Sequence, residues 1–278
     1  MPESRAIVIF TDLDGTLLDH DTYSWEDARP ALDRVNLLSI PLIAVSSKTL
    51  AELEHINQNA ELFDGLIAEN GGIVSLKSAM EQHGPSSETI DMVREQIRSA
   101  INVPLRSFRT VEPEIIAAET GLSLDDAIRA GQRHCSDPLI WQPSAQDVRI
   151  ARTIAEQKGL NLVKGGRFHT ICGPSNKGHA MKRMLERLAV FYRDMSGKPV
   201  KRFTTIALGD SPNDIPMLAE ADFAVQIPTK NRGRKAPLLE HSNLRLAPYP
   251  GPAGWNVALN EILDEITNTN KNSEVLHG

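Results

Sequence analysis

The sequence predicts an α/β fold, a Rossmann-like parallel sheet wrapped by helices and interrupted by an inserted α+β segment. Three observations lead there. In the first third of the chain, apolar runs such as Ala6-Ile7-Val8-Ile9-Phe10 alternate with helical segments, the pattern of buried parallel strands and their crossovers. The same alternation resumes from Lys177. Between these stretches, from about His83-Gly84-Pro85, strands and helices follow each other without regular alternation. The expected division is therefore a core of residues 1–83 and 172–278 with an insertion at 84–171.

The elements are read in order. Ile7–Phe10 is a buried strand, and a helix is expected around Trp25–Leu38. The strand Pro41–Val45 ends in Ser46-Ser47-Lys48-Thr49, and a helix runs from about Leu50 to Gln58. Gly65–Ala68 ends in Glu69-Asn70-Gly71-Gly72, whose Asn-Gly-Gly allows a hairpin into Ile73–Leu76. In the insertion, Ile90, Val93, Ile97 and Ile101 mark one face of a helix over 88–101, with a short segment near Leu105–Phe108 after it. Helices around Pro113–Thr120 and Ser123–His134 follow, the second with Ser123 at its N-cap. Next come the strand Leu139–Trp141, a helix over 144–158 closed by Gly159, and strands at Asn161–Lys164 and Arg167–Ile171. A long helix through Met181–Tyr192, the strand Thr204–Leu208, a helix from Pro212 to about Glu220 and the strand Phe223–Gln226 complete the core. The polar tail after Asn268 is expected to fray.

Bulk properties bound the function. At 278 residues, 41% hydrophobic and 24% charged, the chain is that of a globular protein with ample core. A net charge of -6 argues against a general nucleic-acid binder and suits recruitment of a divalent cation through carboxylates. The two cysteines, Cys135 and Cys172, make neither a disulfide framework nor a zinc-ligand pattern. The first five residues carry no signal-peptide pattern, and no apolar run approaches the roughly 20 residues of a membrane helix. A cytoplasmic location, without membrane or nucleic-acid partners and as a monomer or homodimer, is the expectation. The three tryptophans, Trp25, Trp141 and Trp255, read as packing residues, and Lys230–Lys235 as a solvated basic loop.

Chemistry is concentrated at four strand ends: Asp12/Asp14, Ser46, Lys177 and Asp210/Asp214. In open α/β sheets ligands bind just beyond the carboxyl ends of strands. Two acids two residues apart can divide labour there, one attacking phosphorus and the other moving a proton to and from the leaving oxygen. Taken alone, Asp12-Leu13-Asp14 also fits a solvated turn, and Asp214 also fits a plain helix cap behind Ser211 and Pro212. A carboxylate attacking a phosphate needs cations and donors to cancel charge in the transition state. Asp12 and Asp210 suit a hard divalent cation, Ser46 a donor to a phosphoryl oxygen, and Lys177 a point charge on the same group. Gly15 lets backbone N–H groups approach the phosphate.

In this order these motifs resemble the haloacid dehalogenase superfamily of phosphohydrolases. Asp12-Leu13-Asp14-Gly15-Thr16 is similar to its first motif, Ser46 to its second, Lys177 to its third and Gly209-Asp210…Asn213-Asp214 to its fourth. The resemblance implies that Asp12 forms an aspartyl-phosphate and that Asp14 protonates the leaving group and then activates water. It also implies Mg2+ on Asp12, the backbone carbonyl of Asp14 and Asp210, with Asp214 in support. Asp14 sets the chain apart from superfamily dehalogenases and transport ATPases and points to a phosphatase or a phosphomutase. The insertion resembles the larger type of cap found in sugar-phosphate phosphatases.

Within the superfamily, Ser46–Thr49, Ala68–Gly72, Gly165–His169 and Ser175-Asn176-Lys177-Gly178 resemble the mannosyl-3-phosphoglycerate phosphatase family. That resemblance implies a small phosphorylated glycosyl-glycerate substrate, with Ser47, Lys48, Glu69, Asn70, Gly166, Arg167, His169 and Asn213 binding it. The substrate's carboxylate needs a cation, for which Arg167, Lys48 or Arg133 is available. Its hydroxyls need acceptors, for which Glu69, Asn70 or Asp137 is available. By spacing alone Gly165–His169 is equally an ordinary turn with a solvated arginine. A glucosyl-3-phosphoglycerate phosphatase, a sucrose-phosphate or general sugar-phosphate phosphatase, and a phospho-ligand binding protein are the alternatives; the intact Asp12/Asp14 pair and Lys177 speak against the last.

Overall fold

A computed structural model describes the backbone of residues 6–77, 79–165, 167–192, 200, 202–229, 240 and 243–275, with side chains through 268. The Lys230–Lys235 stretch lies outside the described residues. The chain divides into two compact units, one from residues 1–45, 62–65 and 181–278, the other from 46–61 and 66–180.

In the first unit the strand Ala6–Thr11 is central. It pairs in parallel with Leu42–Val45 on one side and Phe203–Gly209 on the other, which continues through Phe223–Gln226 to Leu244–Leu246, all parallel. Val8, Ile9, Phe10, Ile206, Ala207 and Leu208 are wholly buried, which is why these strands read as unbroken apolar runs. The chain leaves Ala6–Thr11 to one side through the helix Arg29–Leu37 and returns on the other much later. The carboxyl end of Ala6–Thr11 is therefore the topological switch point of the sheet, where α/β folds place their ligands.

Two elements of this unit were absent from the sequence expectation, the strand Leu244–Leu246 and the helix Gly251–Val275. The helix corrects the expectation of a frayed tail, since it runs on through the polar residues after Asn268. Its buried Trp255, Ala258, Leu259, Ile262 and Leu263 fall at helical spacing and anchor it. Asn256 accepts from the Ala31 backbone at 2.9 Å, and Arg34 donates to Asp264 at 2.7 Å, fastening it to Arg29–Leu37. The helix expected from Pro212 is instead a 3-10 turn, Pro212–Asp214, followed by the α-helix Ile215–Glu220.

In the second unit the helix Leu50–Ala60 starts from a capping box of Thr49 and Glu52. Ile73–Leu76 pairs antiparallel with Ala79–Gln82, an exposed strand with no apolar signal of its own. A four-stranded antiparallel sheet follows in the order Arg106–Ser107, Ser136–Ile140, His169–Cys172, Asn161–Lys164. Neighbouring residues Leu139 and Ile140 point to opposite faces of this sheet and join different cores. Leu139 packs with Ile90, Val93 and Ile97 of the helix Ser87–Ala100 and Ala151 and Ala155 of the helix Ala145–Gln157. Ile140 packs with Phe108 and with Ile116, Ala127 and Ala130 of the helices Pro113–Thr120 and Leu124–Gly131. Cys135 and Cys172 are both buried free thiols.

Candidate active site

In the first unit, Asp12 follows Ala6–Thr11 and Asp210 follows Phe203–Gly209. Thr11 is in register with Leu208, and the Asp12 N–H donates to the Leu208 carbonyl at 2.9 Å, so the two acids leave the sheet side by side. Carboxylate oxygens of Asp12, Asp210 and Asp214 lie within 4.8 Å of one another. Asp12 and Asp214 are buried and Asp210 is half-buried. The two glycines of this region are there for space. A Cβ on Gly209 would stand 2.5 Å from Cβ and Cγ of Asp214, and one on Gly15, where φ is +81°, would stand 3.0 Å from Asp210 Oδ2. Two strand ends, two glycines and one acidic turn thus pack three carboxylates together.

Asp214 is held on its own backbone. Its Oδ2 accepts from the N–H of Asp210 at 3.0 Å, the N–H of Ser211 at 2.9 Å and Ser211 Oγ at 3.0 Å. Asp214 therefore caps its turn and faces the other two acids at once; the two readings of the sequence are one arrangement. The Ser211 hydroxyl also contacts exposed Asn213 Oδ1. Asp14, half-buried, forms an isolated bridge with Leu18, and Leu13, Leu17 and Leu18 beneath this loop are buried. Three clustered carboxylates are hard oxygen donors, which fits magnesium.

In the second unit, Ser46, Lys48, Glu69 and Asn70 come together through the backbone. The Glu69 N–H donates to the Lys48 carbonyl and the Asn70 N–H to the Ser46 carbonyl, each at 2.9 Å. Glu69 and Asn70 are both left-handed, with φ of +49° and +56°, strain of the kind that persists only where surroundings enforce it. A Cβ on Gly71 would stand 2.4 Å from the Asn176 carbonyl oxygen, which sets this turn against the start of the helix Lys177–Phe191. Lys177 is fully buried at that start, and Ser46 is buried.

Glu69 has a different surrounding from the ligand-facing one expected of it. Its side chain is fully buried, Oε1 accepts from the His134 N–H at 2.8 Å, and Oε2 accepts from the Cys135 N–H at 3.1 Å and Ser136 Oγ at 2.5 Å. Burial works against its ionised form. The His134 side chain, the Arg133 charge and the hydrogen bonds from His134 and Ser136 outweigh that and hold the carboxyl at about 2. Asp137, the other acidic candidate, is fully buried and paired with Arg94 at 2.8 Å, while burial pushes its pKa up. Arg133 donates to Ser136 Oγ at 2.8 Å and lies 3.3 Å from the Ser47 carbonyl. It therefore touches the Ser46–Thr49 loop itself, as does the Arg129 carbonyl, which accepts from Thr49 Oγ1 at 2.9 Å.

Arg167 donates from its two terminal nitrogens to the carbonyls of Glu119 and Thr120 at 3.2 and 2.7 Å, and its guanidinium lies 5.8 Å from the Phe168 ring centre. It finishes the helix Pro113–Thr120, where orphan carbonyls attract a cation. His169 stands edge-on to Trp141 with centroids 5.6 Å apart, and burial lowers its pKa. Gly166 lies outside the described residues. Motif reading missed Ser136 and the backbone of 134–135, whose role comes from a fold contact more than sixty residues from Glu69. It also missed Gly209 as a packing requirement.

Residues 9–103 match the haloacid dehalogenase-like hydrolase family. Over 279 aligned residues the chain is 36% identical to the glucosyl-3-phosphoglycerate/mannosyl-3-phosphoglycerate phosphatase of Methanococcoides burtonii, covering 94% of this chain and 98% of that protein. The protein of the same description from Persephonella marina is 34% identical, with the same coverage of each. The fold is shared with a haloacid dehalogenase-like hydrolase from Bacteroides thetaiotaomicron, at a TM-score of 0.67 and 16% identity over 93% of this chain and 100% of that one.

Proposed function

The chain belongs to the haloacid dehalogenase-like hydrolases and is a phosphoric monoester hydrolase, and from that premise we propose that it removes the phosphate of mannosyl-3-phosphoglycerate and of its glucosyl counterpart. The observation that carries the chemistry is the meeting of Asp12, Asp210 and Asp214 at the switch point of a parallel sheet. Similarity to the two glucosyl-3-phosphoglycerate/mannosyl-3-phosphoglycerate phosphatases supports the substrate.

In the first step an Asp12 carboxylate oxygen attacks phosphorus, and the bond from phosphorus to the glycerate 3-oxygen breaks. Asp14 gives that oxygen its proton. Asp14 then takes a proton from water, whose oxygen attacks the same phosphorus, and the bond to Asp12 breaks to release phosphate. Asp12, the Asp14 carbonyl and Asp210, with Asp214 in support, would hold Mg2+, which would supply charge neutralisation at the phosphoryl group. Ser46 donates to a phosphoryl oxygen, and Lys177 adds a fixed positive charge. Residues 84–171 serve as the specificity insertion in the core of 1–83 and 172–278. Lys48, Arg167 and Arg133 are the cations proposed for the glycerate carboxylate. Ser47, Asn70, His169 and Asn213 are the remaining polar contacts proposed for the substrate.

The test is phosphate release with magnesium from mannosyl-3-phosphoglycerate, glucosyl-3-phosphoglycerate, sucrose-6-phosphate and hexose phosphates, with Asp12→Asn as the blank. A kcat/KM about a hundredfold higher for the two phosphoglycerates, roughly 3 kcal/mol of transition-state discrimination, is expected. Flat activity across the panel would remove the named substrate and leave the phosphatase.

A further inference from the structure

Asp12 leaves the sheet with both arms of its backbone held. Its N–H donates to the Leu208 carbonyl at 2.9 Å. Its carbonyl oxygen accepts from the hydroxyl of the preceding residue, Thr11 Oγ1, at 2.7 Å. That hydroxyl in turn accepts from the indole Nε1–H of Trp255 at 3.0 Å. Thr11 and Trp255 are both wholly buried, and Trp255 comes from the helix Gly251–Val275, about 240 residues further along.

Each link has a direction. An indole N–H can only donate, whereas a threonine hydroxyl can turn and serve as donor or acceptor. With Trp255 filling an acceptor position, the Thr11 proton is left to Asp12 O. A buried carbonyl at the point where the strand ladder ends needs such a partner. With the N–H and the C=O of Asp12 both fixed, the tetrahedral Cα leaves one direction for Cβ, the root from which χ1 and χ2 turn the carboxylate; Oδ2 also accepts from Thr16 Oγ1 at 3.4 Å. Because the trans peptide is planar, the same bond sets the plane that carries the Leu13 N–H.

We propose that Trp255, acting through Thr11, is a positioning residue that aims the Asp12 carboxylate. The proposal rests on the reading of Asp12 as the nucleophile. In-line attack tolerates little misplacement of the nucleophile, and about 1 Å of error is worth on the order of a hundredfold in rate. The relay acts on the direction of attack and leaves substrate contacts alone, so its loss appears in kcat.

The test compares Thr11→Val, Thr11→Ser, Trp255→Phe and the double variant Thr11→Val/Trp255→Phe, with p-nitrophenyl phosphate and magnesium. Valine keeps the shape of threonine and removes the hydroxyl; serine restores it. We expect kcat to fall about tenfold in Thr11→Val and Trp255→Phe with KM within about twofold, near-wild-type kcat in Thr11→Ser, and no further loss in the double variant. Equal kcat in Thr11→Val and Thr11→Ser would overturn the relay, and this pair decides the matter if Trp255→Phe does not fold. A lowered Tm with unchanged kcat in Trp255→Phe, well below that Tm, would also overturn it by showing a packing role only. Asp12→Asn separates the premise: retained activity there would remove the nucleophile assignment, whereas its loss beside a fully active Thr11→Val would reject the relay alone.

Discussion

Replacing Glu69 by glutamine probes a fully enclosed carboxylate of the second unit without changing its size. The carboxylate receives two backbone N–H groups and one hydroxyl, and glutamine offers a single oxygen and an NH2 that opposes a donor. Lowering a carboxyl from 4.5 to about 2 corresponds to about 3 kcal/mol of folding stability at neutral pH, at roughly 1.4 kcal/mol for each pH unit. The sign is that of a depressed acid. The contribution is complete above the unfolded value of 4.5 and is lost as pH falls toward about 2. Urea unfolding of wild type and Glu69→Gln at pH 7, 5 and 3.5 should therefore give a difference of about 3 kcal/mol at the first two. It should shrink to about 2 kcal/mol at the third, where the unfolded chain has taken up the proton while the folded carboxyl is still ionised. A difference that is absent, or that stays constant down to pH 3.5, would refute the reasoning. Because the Glu69 N–H also donates to the Lys48 carbonyl, the variant should raise KM as well as lose stability.

Other substitutions test other parts of the molecule. Gly209→Ala puts a methyl 2.5 Å from Asp214 Cβ and Cγ and must push that carboxylate aside; it should cost about 1–3 kcal/mol and raise the magnesium concentration needed for half-maximal activity, and an unchanged magnesium titration would refute it. Arg94→Met leaves the fully buried Asp137 without its cation and should cost about 3–5 kcal/mol in urea unfolding. Burial raises the Asp137 pKa, so this loss should be larger at pH 7 than at pH 4, and adding Asp137→Asn should return much of it; a loss equal at both pH values would refute the pair. Burial pushes the Cys172 thiol up to about 11 and the Cys135 thiol also well up, so neither should react with Ellman's reagent at pH 8 until the protein unfolds; rapid labelling of native protein would contradict this.

Much of the architecture was legible because parallel strands and amphipathic helices leave strong local signals. Val8–Phe10, Ile206–Leu208 and the Ile90/Val93/Ile97 face all lie in cores as their spacing required. The strand Ala79–Gln82 was not legible because all four of its residues are exposed and carry no alternation. The helix Gly251–Val275 had a legible core face in Trp255–Leu263, but its polar end resembles a free tail. At the site, the aspartates could be read because strand ends and short acidic motifs are local. The surroundings of Glu69, Asp137 and Arg167 could not, since each depends on a partner far along the chain, and a polar residue bound to protein looks in sequence like one awaiting a ligand.

The pairing of Ala6–Thr11 with Phe203–Gly209 joins segments about two hundred residues apart, and such closures are slow and late in folding. Asp12 and Asp210 owe their proximity to that pairing. A nascent chain emerging from the ribosome therefore carries Asp12 long before Asp210 is there to stand beside it. The Ser46–Ala180 region, rich in local helices and hairpins, can gain structure while the acidic cluster does not yet exist. In refolding from urea, far-UV helicity should consequently return before phosphatase activity, and simultaneous recovery would place the long-range pairing early instead.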